Sequence, residues 1–341
     1  MARGPMEGAG GGRGVILVTG GAGYIGSHAC RALSDAGYAP VVFDDLSNGH
    51  EAFVRWGPLE IGDIRDRRAL DAVFARHRPV GVMHFAGLIE VGESVLHPDR
   101  FHDVNVVGSR QVIEAARQAG VRAFVFSSTC ATYGAPLAAS MDESHPQAPL
   151  NPYGQGKLAV EQTLEELDRQ SGFRSVRLRY FNAAGADAQG RIGERHAPET
   201  HAIPLAIMAA LDPSRRFTIF GDDYPTADGT AVRDYVHVDD LAEAHLKALE
   251  WLLAGGGSEV FNLGSGSGTS MVELIAAIER VSGRPLNVGR GGRREGDASS
   301  LIADASKIGR VLGWRTTKDI DQIIRSAWAW HEAELARASR S

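Results

Sequence analysis

A short β-branched run, Val15-Ile16-Leu17-Val18-Thr19, leads directly into Gly20-Gly21-Ala22-Gly23-Tyr24-Ile25-Gly26. From Tyr24 to Ala36 the spacing becomes helical, with Ile25, Ala29, Ala32 and Leu33 on one side. A strand, a glycine turn and a helix in immediate succession leave few folds open. The glycines satisfy a G-x-G-x-x-G spacing (Gly21, Gly23, Gly26) and a G-x-x-G-x-x-G spacing (Gly20, Gly23, Gly26). They permit a tight turn and let the backbone approach a pyrophosphate, while the helix N-terminus offers free N–H groups and about half a unit of positive charge. A lone glycine triplet is weak evidence; its position between a strand and a helix gives it weight.

The alternation continues downstream. Strands are expected at Ala39 to Phe43, Val80 to His84, Ala123 to Ser127 and Ser175 to Tyr180, with helices at Ala69 to Arg76, Val104 to Ala119 and Tyr153 to Asp168. Gly120 closes the second of these helices as a C-cap would. Strands that are apolar throughout, alternating with helices, imply a parallel sheet covered on both faces, whose ligands bind beyond the strands' carboxyl ends. Asp44, backed by Asp45, stands at the end of the second strand, where a carboxylate accepts hydrogen bonds from an adenosine ribose and repels a 2′-phosphate, so NAD is favoured over NADP. After Asn182 the alternation weakens and Gly, Pro and Asp become frequent, which implies a smaller, less regular lobe. Helices return at Leu241 to Leu253, Met271 to Val281 and Ile320 to Glu334, and a strand at Val260 to Leu263. The expected fold is α/β: a Rossmann-type doubly wound parallel sheet with a smaller mixed α/β C-terminal substrate domain.

Tyr153-Gly154-Gln155-Gly156-Lys157 is a Y-x-x-x-K pair, which a helix puts on one face. An unperturbed phenol, with pKa of about 10, is a poor base at neutral pH. An ammonium and a positive nicotinamide ring nearby would favour phenolate. Thr129, at the end of a strand, can supply a hydroxyl beside the phenol. Tyr153 and Lys157 alone would read as an ordinary amphipathic helix; the Ser127-Ser128-Thr129 strand end and the upstream glycine turn change that.

Composition narrows the class. The formal net charge of -6 provides no basic field for nucleic acid or an anionic membrane. No apolar run approaches the roughly 20 residues that span a bilayer. Two cysteines, Cys30 and Cys130, without a CxxC or a His-rich cluster, suit a reducing cytoplasm and give no reason to expect a metal or a disulfide. Residues 1–14 read as a flexible leader.

In these motifs the chain resembles the extended short-chain dehydrogenase/reductases, and among them the UDP-glucose 4-epimerases. The resemblance runs from Val15 to about Glu334, through Val18 to His28, His84-Phe85-Ala86-Gly87, Val91 to Ser94, Ser127 to Thr129, Tyr153 to Lys157 and Leu178-Arg179-Tyr180-Phe181-Asn182. It continues through Ile219 to Tyr224, Asp228 to His237 and Arg294-Glu295-Gly296-Asp297. It implies interconversion of UDP-galactose and UDP-glucose through transient C4 oxidation, with tightly held NAD, Tyr153 as base, Thr129 assisting, and Lys157 holding the nicotinamide ribose. By the same resemblance, Gly20, Gly23, Tyr24, Ile25, Gly26, Asp44 and Asp45 hold the dinucleotide. Asp63 and Ile64 flank its adenine, Phe85, Ala86, Gly87 and Asn105 line its cleft, and Tyr180 packs near the nicotinamide. Arg233 and Arg294 would take the diphosphate, and Phe181, Asn182, His201, Thr218, Phe220 and Asp297 the sugar or uridine. The domains implied are 15–182 for NAD, with a returning segment at about 234–264, and about 183–233 with 265–334 for the UDP-sugar.

The chain departs from some relatives at Ile89, where they carry lysine, so that cofactor contact is absent. Asp45 and His201 stand where some have asparagine. Leu301 occupies a position whose bulk bears on whether an N-acetyl group fits at C2. Cys130 and Ala131 follow Thr129, so no carboxylate is placed there for the elimination of a 4,6-dehydratase or for a UDP-glucuronate decarboxylase. A 4-epimerase for UDP-N-acetylhexosamines or UDP-pentoses, or a non-catalytic NAD-binding protein, remain alternatives. The helices Val104 to Ala119 and Tyr153 to Asp168 would pair two chains into a homodimer, as in relatives with a four-helix interface.

Overall fold

The computed structural model describes residues 12–294 and 297–338. Residues 1–11, the bulk of the expected leader, and Glu295 and Gly296 lie outside the described residues. Arg13 is already anchored, its backbone N–H donating to the Gly37 carbonyl (3.1 Å).

The chain begins with β1 (Val15–Thr19), α1 (Tyr24–Asp35), β2 (Ala39–Asp44), β3 (Leu59–Ile61), α2 (Arg67–His77) and β4 (Gly81–His84). Short helices α3 (Val91–Leu96) and α4 (Pro98–His102) run through a π-helical turn at Asp103–Gly108 into α5 (Ser109–Gln118), so the helix expected from Val104 begins earlier and is locally under-wound. Then come β5 (Ala123–Thr129), α6 (Pro152–Ser171) and β6 (Ser175–Tyr180). Asn151 caps α6 by accepting from the Gly154 N–H (2.9 Å), Pro152 takes the first helical position, and Gly172 ends the helix in the left-handed region.

Past Tyr180 lie β7 (Asn182–Ala184), α7 (Ala202–Leu211), β8 (Phe217–Phe220), β9 (Val232–His237), α8 (Val238–Leu253), β10 (Glu259–Leu263), β11 (Gly268–Ser270), α9 (Met271–Ser282), β12 (Val288–Gly291), β13 (Ser300–Leu301), α10 (Ser306–Leu312) and α11 (Ile320–Ala338). Seven strands form one parallel sheet in the order β10-β6-β5-β4-β1-β2-β3. Side-chain alternation divides its faces: Ile16 and Val18 pack with Ala29, Leu33, Leu241 and Leu249 of α1 and α8, while Leu17 packs with Phe74, Val112 and Leu164 of α2, α5 and α6. β1 lies between β2 and β4, so connections leave it in opposite directions and the C-terminal ends of these strands open a crevice.

The second lobe is built on β9. It pairs with β7, β11 and β13, while β8 pairs separately with β12. The fully buried Asp234 carboxylate clamps this lobe, accepting from Ser265 N–H (2.8 Å), Ser265 Oγ (2.6 Å), Gly266 N–H (3.1 Å) and Ala303 N–H (3.1 Å). Among the described residues, no helix is long and apolar enough to cross a membrane.

Candidate active site

One continuous cavity of about 1190 Å³ runs from the glycine turn, past the ends of β2, β4, β5 and β6, to β8, β9 and β13. At its first end, Gly20 has φ +72 and a Cβ there would lie 2.5 Å from the Ala86 nitrogen. A Cβ on Gly26 would overlap the Gly20 carbonyl oxygen, so α1 meets the end of β1 only because glycine stands there. Gly23, the N-cap of α1, provides no side-chain hydrogen bond, so the first amides of the helix face the cavity uncapped. That is the donor set an anionic pyrophosphate requires, and the site fits a dinucleotide. Replacing Gly26 with Ala is expected to weaken NAD binding at least about tenfold, measured as NAD recovered per chain after denaturation.

Asp44 is buried and joins β2 to the turn: its Oδ2 accepts from Ala22 N–H (3.0 Å) and its Oδ1 from Leu46 N–H (2.9 Å). Burial pushes its carboxyl up, and those two amides pull it back down. Each oxygen keeps a lone pair for a ribose hydroxyl. Asp45 lines the cavity but also closes a local turn, accepting from Ser47 N–H (2.9 Å). Asp63 and Ile64 line the same end. The Asp63 carboxylate is taken up by Arg65, whose guanidinium also pairs with Asp103 (2.7 Å). The Tyr24 phenol donates to the Gly185 carbonyl (2.6 Å), tying α1 to the chain beyond β7.

In the middle, Thr129, Tyr153, Tyr180, Phe85, Ala86 and Gly87 line the wall. Lys157 and Asn105 stand one layer behind it. Lys157 is buried, and its Nζ donates to the Ser127 carbonyl (2.9 Å) and lies 6.0 Å from the centre of the Tyr153 ring. Asn105 sits in the π-helical turn and grips the loop after β4 at both Leu88 backbone groups, through Oδ1 (2.8 Å) and Nδ2 (2.9 Å). Burial pushes the Tyr153 phenol up, and a hydrogen bond with Thr129 opposes it. Burial also brings Lys157 down to about 8. Ser127, a residue without an expected role, joins these groups by its Oγ, 2.5 Å from the Tyr180 hydroxyl. Behind β4, burial takes His84 down to about 3, so a neutral ring bridges Thr19 (2.5 Å) and Ser109 (2.8 Å).

At the far end are Phe181, Asn182, His201, Thr218, Phe220, Arg233, Arg294, Asp297 and Leu301. Arg233 is braced by the Val232 and Ala298 carbonyls (2.9 Å each), and Leu301 lies beside it in strand register. Arg294 stacks 3.8 Å above the Phe220 ring, which leaves its N–H groups unoccupied by that contact. Asn182 spends its Nδ2 on the Asp234 carbonyl (3.0 Å), so its side-chain oxygen is available to a ligand. His201 Nδ1 meets Glu194 Oε1 at 2.5 Å. Burial opposes protonation of this ring, but Glu194 and Glu199 hold it above its ordinary range. Glu194 and His196, which sequence reasoning passed over, also line the cavity. The signal was present as an E-x-H-x-x-E-x-H spacing from Glu194 to His201.

The arrangement is a phenol and a hydroxyl at the centre of a cleft with an anion-binding helix end on one side and two arginines on the other. The profile of the NAD dependent epimerase/dehydratase family matches residues 16–264. The chain is 60% identical over 316 residues to the UDP-glucose 4-epimerase of Rhizobium leguminosarum bv. trifolii, covering 93% of this chain and 97% of that one. Among solved structures, the UDP-glucose 4-epimerase from Brucella ovis, in complex with NAD, is similar with a TM-score of 0.90 at 46% identity, over 93% of this chain and 98% of that one. The UDP-glucose-4-epimerase from Stenotrophomonas maltophila, with bound NAD and formylated UDP-arabinopyranose, is similar with a TM-score of 0.93 at 39% identity, over 96% of this chain and 100% of that one.

Proposed function

The chain belongs to the NAD dependent epimerase/dehydratase family, and from that premise we propose that it interconverts UDP-galactose and UDP-glucose by inverting C4 of the sugar. The observation that carries this reading is the continuity of the cavity from the uncapped glycine turn, past Tyr153, to Arg233 and Arg294. Bound NAD supplies the hydride acceptor and donor for C4. The chain's own residues do the rest. Tyr153 takes the proton of the 4-hydroxyl and later returns it, with Thr129 stabilising the phenolate by a hydrogen bond. Lys157, held against the Ser127 carbonyl, provides the positive charge behind the phenol. Arg233 and Arg294 hold the diphosphate, so the sugar, bound by fewer groups, can turn its other face once C4 is a ketone. The apolar walls at Phe85, Phe181 and Phe220 keep water from the ketone.

Purified protein incubated with UDP-galactose and no added NAD should yield UDP-glucose. A preparation that holds NAD yet leaves UDP-galactose unchanged would instead make the chain a non-catalytic binder. Turnover on the hexose pair should exceed that on the N-acetylated pair, since Leu301 lies beside Arg233; the reverse preference would give the chain a different substrate class. Turnover should also fall as pH rises through about 8, where burial makes Lys157 give up its proton. In Lys157→Met that alkaline fall should vanish, with a rate at neutral pH about 10²-fold lower.

The same reading includes a cytoplasmic homodimer. Both cysteines are free, which suits a reducing compartment. Helices α5 and α6 lie together over one face of the sheet, and sedimentation velocity would read the assembly.

A further inference from the structure

We propose that Glu194, His196, Glu199 and His201 form a binding site for one divalent cation of the zinc class, set in the wall of the substrate cavity. Each offers one donor atom, and the four atoms lie within 4.8 Å of one another. The separations are near those of a tetrahedral shell. His196 Nδ1 lies 3.4 Å from Glu199 Oε2 and 3.7 Å from Glu194 Oε1. Bonds of about 2.0–2.2 Å to nitrogen and oxygen put neighbouring donors roughly 3.4 Å apart. The His201–Glu194 pair, at 2.5 Å, would have to open.

The donors are held by their surroundings. The Glu194 backbone carbonyl accepts from Trp330 Nε1 (2.9 Å) on α11. Glu199 spends Oε1 on the backbone N–H groups of Thr200 (2.8 Å) and His201 (2.9 Å), at the start of α7. That leaves Oε2, which is shut from solvent, hydrogen-bonds to nothing and faces His196, on a side chain only 5% exposed. His196 Nδ1 is likewise buried without a partner. Facing each other at 3.4 Å in a buried setting without hydrogen-bond geometry, the two atoms pair only through charge when the ring is protonated, and a cation between them satisfies both. The nearby Arg195 does not serve, because its guanidinium pairs with Glu334 and lies over Phe53 and Trp330.

Two imidazoles and two carboxylates favour zinc over calcium or magnesium, which take all-oxygen shells. The two carboxylates neutralise the ion's charge, and binding would displace the proton that His201 shares with Glu194. The ion would tie the chain after β7 to the N-terminus of α7, while His201 keeps Nε2 for the cavity.

Tag-free protein treated with a chelator and titrated with cobalt(II) is expected to bind about one equivalent and develop the intense visible bands of a tetrahedral centre, which zinc then bleaches. In a His196→Ala, Glu199→Gln variant, affinity should fall at least about tenfold. Should that variant fail to fold, the cobalt spectrum of the unaltered chain decides alone. Absence of stoichiometric binding, weak octahedral bands, or equal affinity in a folded variant would each overturn the site. Epimerisation is read separately, so failure here leaves the assigned reaction intact.

Discussion

Tyr153→Phe should lower kcat by about 10²–10⁴-fold while NAD content and UDP affinity stay within a factor of about two. The phenyl ring keeps the packing against Leu88 and Phe101, so the loss is that of the hydroxyl alone. That hydroxyl lies on the cavity wall, its ionisation favoured by Thr129 and its ring backed by Lys157. A loss of this size corresponds to roughly 3–5 kcal/mol of transition-state stabilisation. The effect should fall on kcat rather than KM, because the proton moves only as C4 is oxidised or reduced. If instead KM rose and kcat stayed, Tyr153 would be a binding contact and the base would lie elsewhere.

The largest expected effect on stability lies just behind that site. Glu161→Gln should destabilise the fold by about 3–5 kcal/mol, measured by denaturant unfolding. Glu161 and Arg179 are both nearly shut from solvent, and the guanidinium reaches the carboxylate through Nη2 (2.5 Å) and Nε (2.9 Å). Ser128 Oγ and Gln147 Nε2 donate to the same carboxylate. Removing its charge leaves the buried guanidinium with neutral acceptors alone, the remaining amide oxygen and the Tyr133 hydroxyl (3.0 Å). A companion variant with both residues replaced by apolar side chains should recover much of the loss, since the cost lies in the uncompensated charge rather than in the pair. Equal instability of the single and double variants would put the loss in packing instead. Because Glu161 lies one turn beyond Lys157 on α6, the pair also fixes that helix against β5 and β6.

How much of this could be read from the chain depended on range. The first sheet was legible because each strand is an apolar run followed by a helical period, and because glycine, Asp44 and Tyr153 each stand where a strand ends or a helix begins. The bounds moved by few residues, as with β6, expected and found at Ser175–Tyr180. The second lobe was not legible. β7, β11 and β13 have three, three and two residues, too few for any periodicity to register. They exist because β9 lies between them and Asp234 gathers their connecting loops, a set of long-range contacts that leaves no local mark.

The candidate site divides in the same way. Residues at strand ends lie on the cavity, whereas Lys157 and Asn105 act from behind it, through the Ser127 carbonyl and the Leu88 backbone. The π-helical turn that aims Asn105 has no sequence signature. The Glu194–His201 cluster was visible as spacing but not as a site, because four donors over eight positions converge only where the chain bends back before α7.

The central claim is that one hydrogen leaves C4 and returns to the other face of the same carbon without visiting water. UDP-galactose carrying deuterium at C4, incubated with the purified enzyme in ordinary water, tests it directly. The expected product is UDP-glucose that keeps deuterium at C4. UDP-glucose with C4 hydrogen drawn from water would contradict it.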